Sequence, residues 1–106
     1  MGIKKEIMQN IITMVSFEIN DKKLAGEWKE MSDHINESLK EVDGFISRES
    51  AVGKDGKIYC FVKFETAEKQ EAFNKIMESD DFKENLVAFA KIANMETMKS
   101  EILNVI

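Results

Sequence analysis

Five side chains stand alone in their type, and three of them are the first candidates for chemistry: His34, Trp28 and Arg48 are the only histidine, tryptophan and arginine of the chain. Histidine ionises near neutral pH, so His34 is the candidate general base. It sits beside an apolar helical stripe. That suits either a base at a pocket mouth or an ordinary boundary histidine half in solvent. Trp28 lies centrally on the same stripe, where an indole packs on a sheet and, if a pocket opens there, becomes a platform for an aromatic ligand. Arg48 carries the only guanidinium and could clamp an anionic substrate, against the plainer expectation of a surface ion pair. Tyr59 alternates out of phase with Ile58 and Cys60, which points it to an interface. Cys60, in phase with core positions, reads as an inert buried thiol.

The remaining motif space is empty. One histidine without a second a turn away, and one cysteine without a mate, make neither a zinc site nor a disulfide. No Gly-rich phosphate loop, nucleophile elbow or carboxylate metal loop occurs, so no motif calls for haem, flavin, nucleotide or any other cofactor. With Asp+Glu 20 against Lys+Arg 15 the net charge is −5, which argues against a nucleic-acid surface. No apolar run approaches the ~20 residues of a membrane span, and the expected setting is a reducing cytoplasm. Gly2 invites a myristoylation reading that Glu6 defeats. Seven methionines are explained mostly by packing.

These side chains need elements to hold them. Asn10–Ile19 alternates, with Ile11, Thr13, Val15, Phe17 and Ile19 on one side, and reads as a strand. Asn20 and Asp21 can cap a helix over about Lys22–Val42, whose stripe is Leu24, Trp28, Met31, Ile35, Leu39 and Val42, opposite Lys29, Asn36 and Lys40. Gly44 is its left-handed stop. Phe45–Val52 and Lys57–Glu65 read as strands joined through Gly53-Lys54-Asp55-Gly56. Thr66 caps a short helix with Ala72, Phe73, Ile76 and Met77 on one side. Ser79 starts another with Phe82, Leu86, Phe89, Ala90 and Ala93 buried. A last strand runs from about Glu96 to Val105.

The order is strand, helix, strand, strand, helix pair, strand. That is the split β-α-β pattern of a ferredoxin-like α+β fold, a four-stranded antiparallel sheet with its helices on one face. One domain accounts for residues 10–105 of the 106, after a loose lead-in over residues 1–8 that is most polar from Met1 to Glu6. Both alternating sets of the first and third strands contain large apolar residues. The face away from the helices therefore needs a cover, and a homodimer closing sheet on sheet is the simplest one.

Three fragments carry a resemblance: Val42-Asp43-Gly44-Phe45 before the second strand, the run Phe64-Glu65-Thr66-Ala67-Glu68-Lys69-Gln70-Glu71-Ala72-Phe73, and Glu78-Ser79-Asp80-Asp81-Phe82-Lys83. From Ile11 to Val105 the chain resembles the antibiotic biosynthesis monooxygenase family of dimeric α+β barrels. The resemblance implies a sheet-to-sheet homodimer and a pocket inside each subunit, between the first long helix and the sheet. It implies cofactor-independent oxidation of a small aromatic or quinol-like molecule by dioxygen, with His34 as base and Trp28 and Arg48 as positioning groups. The haem-degrading branch is expected to carry a Trp and a His where this sequence has Ile76 and Leu86, neither of which can serve haem. The alternative is a non-catalytic dimeric module holding a small apolar or aromatic ligand.

Overall fold

The computed structural model describes residues 9–106, apart from the side chain of Asp81; the lead-in expected over Met1–Glu6 lies outside the described residues. The chain runs β1 (Ile11–Ile19), a 3-10 turn (Lys22–Leu24), α1 (Ala25–Leu39), β2 (Phe45–Val52), β3 (Ile58–Phe64), α2 (Ala67–Met77), a second 3-10 turn (Asp80–Phe82), α3 (Lys83–Ile92) and β4 (Ala93–Asn104). The four strands form one antiparallel sheet in the order β2-β3-β1-β4, the ferredoxin-like arrangement the element order implies.

Register decides which side chains meet the helices. Ile11, Val15 and Phe17 stand opposite Phe64, Cys60 and Ile58. The buried cluster is Phe17, Trp28, Ile58, Cys60, Ile92 and Ala93, with Met31, Ile35 and Phe89 packed against it. Phe17, Trp28 and Phe89 meet edge to face, the Phe17–Trp28 centroids 5.1 Å apart. A second aromatic group, Phe45, Phe64 and Phe73, locks α2 to the far end of the sheet. The other sheet face carries Ile12, Met14, Tyr59 and Phe61 by the same alternation, and Phe61 is 39% exposed.

Two of the three resembling fragments explain each other. Gly44 has φ +83, and a Cβ there would stand 2.6 Å from the Cβ of Lys69. Only glycine satisfies both the backbone and the space. The Lys69 ammonium in turn bonds the Asp43 carboxylate, and Glu65 N donates to Gly44 O at 2.8 Å. The loop before β2 is thus stapled to the start of α2, where Thr66 caps the helix through Lys69 N.

Several expectations need correction. The first helix is shorter than Lys22–Val42: Asp21 caps a 3-10 turn through Lys23 N, and the α-helix begins at Ala25. Asn20 caps a different helix. Its Nδ2 donates to the carbonyls of Ala90, Lys91 and Ala93, satisfying the end of α3 so that β4 begins at Ala93 rather than Glu96. On α2, Ala72 and Ile76 are exposed while Gln70 is buried, because Gln70 shares the inner side with Phe73 and Met77. On α3, Leu86 and Ala90 face out and Ile92 is buried. Asn36 does not stand opposite the apolar stripe; it is half-buried against β2.

Candidate functional site

Trp28, Ser32 and Asn36 follow one another at intervals of four, so they form a single row along α1. Their opposite number on the sheet is fixed by register. Arg48 pairs with Val62 and Ser50 with Cys60, residues of the helix-facing set, so Arg48 points up toward α1. Its Nη1 donates to Ser32 Oγ and Asn36 Oδ1, each at 2.8 Å, and to Ser32 O at 3.3 Å. Its Nη2 reaches Cys60 Sγ at 3.7 Å, and Ser50 Oγ lies 3.5 Å from the same sulfur. The guanidinium carbon stands 6.0 Å from the Trp28 ring centroid, at the edge of cation–π range.

Arg48 is therefore not in the surface ion pair expected of it. The ion pairs among the described residues are Lys29–Asp33, Lys40–Glu37 and Lys69–Asp43, and all partners of Arg48 are neutral. The physical reason is the strand parity: a long side chain at position 48 lies under the helix, where the nearest acceptors are a serine and an asparagine.

Beside this cluster a cleft of about 700 Å³ opens between the first half of α1, the end of β2 and the β2–β3 hairpin. Its apolar lining includes Trp28, Ile58 and Val52, with Ser32, Asn36 and Ser50 as polar lining. Three carboxylates, Glu18, Asp33 and Asp55, and three lysines, Lys22, Lys29 and Lys54, line it as well. Trp28 is only 6% exposed, so the indole serves the core and offers the cleft a margin of its surface.

The three residues singled out in sequence fare differently. The structure brings Trp28 and Arg48 together. His34 is exposed, lies two residues from both Ser32 and Asn36 and hence on nearly the opposite side of α1, and is not part of the cleft lining. Tyr59 lies on the open sheet face, paired with Ser16 and Ala51. Cys60 is buried and free. Sequence alone puts Asn36 opposite the apolar stripe and says nothing of Ser32, since a polar side chain shows no partner until the fold is known. Their spacing of four from Trp28 was the available signal. Among the described residues no group of three or more His, Cys, Asp or Glu could hold a metal ion, and no helix is long and apolar enough to cross a membrane.

No family model and no curated protein matches the sequence. Solved structures do match in fold. A protein of Nitrosomonas europaea, provisionally described as an antibiotic biosynthesis monooxygenase, superposes with a TM-score of 0.74 at 14% identity, over 92% of this chain and 90% of that one. SnoaB, a cofactor-independent oxygenase from Streptomyces nogalater, gives 0.72 at 9% identity over 92% and 94%. A conserved protein of unknown function from Bacteroides thetaiotaomicron gives 0.71 at 13% identity over 92% and 99%. At these identities the likeness establishes the fold, the one the three sequence fragments led us to expect.

Proposed function

We propose that this chain is a small oxygenase-like protein that takes an aromatic or quinol-like molecule into the cleft beneath α1 and lets it react with dioxygen directly. The observation that carries this reading is the cleft itself: about 700 Å³, lined by a margin of the Trp28 indole, by Ile58 and Val52, by the neutral polar Ser32, Asn36 and Ser50, and by equal numbers of carboxylates and lysines. That combination suits a flat, oxidisable ring bearing one or two polar substituents. SnoaB, which shares the fold, is a cofactor-independent oxygenase, and this supports the same chemistry here. Loss of a hydroxyl proton leaves an electron-rich anion able to reduce dioxygen. His34, outside the lining, has no part in our reading; the open mouth of the cleft lets the proton pass to solvent.

We also propose that two copies close over the open sheet face, which carries Ile12, Met14, Tyr59 and Phe61. An interface of that kind would bury on the order of 2,000 Å² or more, and light scattering at micromolar concentration tests it: a monomer mass speaks against it. The cytoplasmic setting belongs to the same proposal.

A second reading, a non-catalytic module that only binds its ligand, is favoured by the absence of the chain's one histidine from the cleft. Oxygen uptake decides. Chelator-treated protein is given a panel of anthrones, naphthohydroquinones and simple quinols in an oxygen electrode. Uptake above the uncatalysed rate supports the oxygenase. Binding by calorimetry with no uptake across the panel supports the module.

A further inference from the structure

Arginine only donates hydrogen bonds, so each acceptor that meets Arg48 is fixed in orientation. Asn36 must turn its Oδ1 to Nη1, and Ser32 must present an Oγ lone pair to the same nitrogen. The amide NH2 of Asn36 and the hydroxyl proton of Ser32 are thereby directed elsewhere, and neither finds an acceptor among the described residues. Both side chains line the cleft. Because both are tied to one nitrogen, they stand together on one wall.

Charge points the same way. At the rim, Glu18, Asp33 and Asp55 are matched in number by Lys22, Lys29 and Lys54, and Lys29 holds Asp33 at 3.1 Å. Arg48 adds one positive charge behind the wall, and no carboxylate among the described residues pairs with it. A half-buried guanidinium surrounded by neutral dipoles leaves a positive potential where those dipoles end.

Resting on the reading of this cleft as a small-molecule site, we infer that it selects an aromatic carboxylate. The carboxylate oxygens accept from Asn36 Nδ2 and Ser32 Oγ, and the ring lies toward Trp28. Arg48 acts through these two residues and is a positioning residue. It sets them as donors and supplies the charge that favours an anion over a neutral acceptor such as a ketone.

The test compares three probes of one shape and different charge: 2-naphthoate, 2-naphthalenemethanol and 2-(aminomethyl)naphthalene. Affinity is read by calorimetry. Location is read from the indole N–H of Trp28, a single resonance in a proton–nitrogen correlation spectrum because the chain has one tryptophan. Naphthoate is expected to shift that resonance and to bind at least about tenfold more tightly than the alcohol, as a charge-assisted hydrogen bond would give. Asn36→Asp keeps an acceptor for Arg48, and so the fold, while it removes the donor and cancels the charge. It should weaken naphthoate on the order of 10–100-fold and abolish the preference over the amine. If this variant fails to fold by circular dichroism, Ser32→Ala takes its place, with a loss of naphthoate affinity expected and unchanged affinity counting against us. Equal binding of naphthoate and alcohol, or an unaffected Asn36→Asp, overturns the inference and leaves the cleft standing as a site. If no probe moves the Trp28 resonance, the cleft reading falls together with it. Naphthoate binding without oxygen uptake by any substrate upholds the inference and removes only the oxygenase.

Discussion

Replacing Arg48 with Met and Asn36 with Leu, singly and together, measures how strongly the half-buried cation and its neutral cage depend on each other. Each close contact of Nη1, to Ser32 Oγ and to Asn36 Oδ1, is 2.8 Å long. Hydrogen bonds to a charged group contribute about 1.5–3 kcal/mol each. Arg48→Met loses both but also relieves the cost of holding a guanidinium half out of water, and the orphaned Ser32 and Asn36 can bond water in the open cleft. The net loss should be about 1–2 kcal/mol, less than the gross sum of the two bonds. Asn36→Leu alone leaves the cation short of an acceptor and should cost as much or more. Once Arg48 is gone, removing Asn36 should cost little. The cycle should therefore return a coupling of about 1.5–3 kcal/mol, read from urea unfolding followed by far-ultraviolet circular dichroism. Lys29 and Asp33 provide the comparison: their 3.1 Å pair has side chains 78% and 62% exposed, and its coupling should stay within about 0–1 kcal/mol. A coupling for Arg48 and Asn36 no larger than that of the exposed pair would refute the reasoning.

Four further outcomes are expected. Phe64, fully buried between Phe45 and Phe73, should cost about 3–5 kcal/mol when cut to Ala, seen as a lower denaturant midpoint. Phe61→Ala, on the open face, should instead lower the dimer mass in light scattering; equal midpoints and unchanged mass for the two would mean the strand faces are assigned backwards. Gly44→Ala should destabilise by about 1–3 kcal/mol, since it forces an alanine to φ +83 against the Lys69 side chain, and a thermal midpoint within error of the parent would contradict that. The hydrogen bond to Asp43 raises the Lys69 ammonium above its ordinary 10.5. A lysine raised on folding stabilises fully at pH below the unfolded value and loses that contribution as pH climbs through the folded one. Asp43→Asn should therefore narrow its stability difference from the parent as the pH climbs above about 10; a difference that vanishes near neutrality would contradict the assignment.

Alternation in β1 and β3 could be read directly, because Ile11, Val15, Phe17, Ile58, Cys60 and Phe64 are apolar on the face that needs it. Gly44 was legible as a left-handed stop, though nothing in the sequence said that Lys69 would fill the space a Cβ needs. The site was legible in part. Trp28 announced itself as a large apolar residue on a helix stripe. Arg48 was visible only as a lone charge, since its place depends on the pairing of β2 with β3 and on which face that pairing turns to α1. Ser32 and Asn36 share a helix row with Trp28 by their spacing of four, but they become site residues only through Arg48, because polar groups look like surface groups until the donor that satisfies them is known. His34 shows the converse, a residue suited by type to catalysis that its position on α1 turns outward.

On the proposed function, any chemistry of this chain happens in the cleft that Trp28, Ser32 and Asn36 line. The most direct measurement is dioxygen uptake at quinol concentrations well below KM, where the rate reports binding as well as turnover, by the parent protein, Asn36→Leu and His34→Ala, each confirmed folded. Asn36→Leu should lose on the order of 10–100-fold in rate, the worth of a hydrogen bond to a charged group, while His34→Ala should run at the parent rate. A His34→Ala variant that loses rate while Asn36→Leu keeps it would rule the cleft out and move the chemistry to the far side of α1.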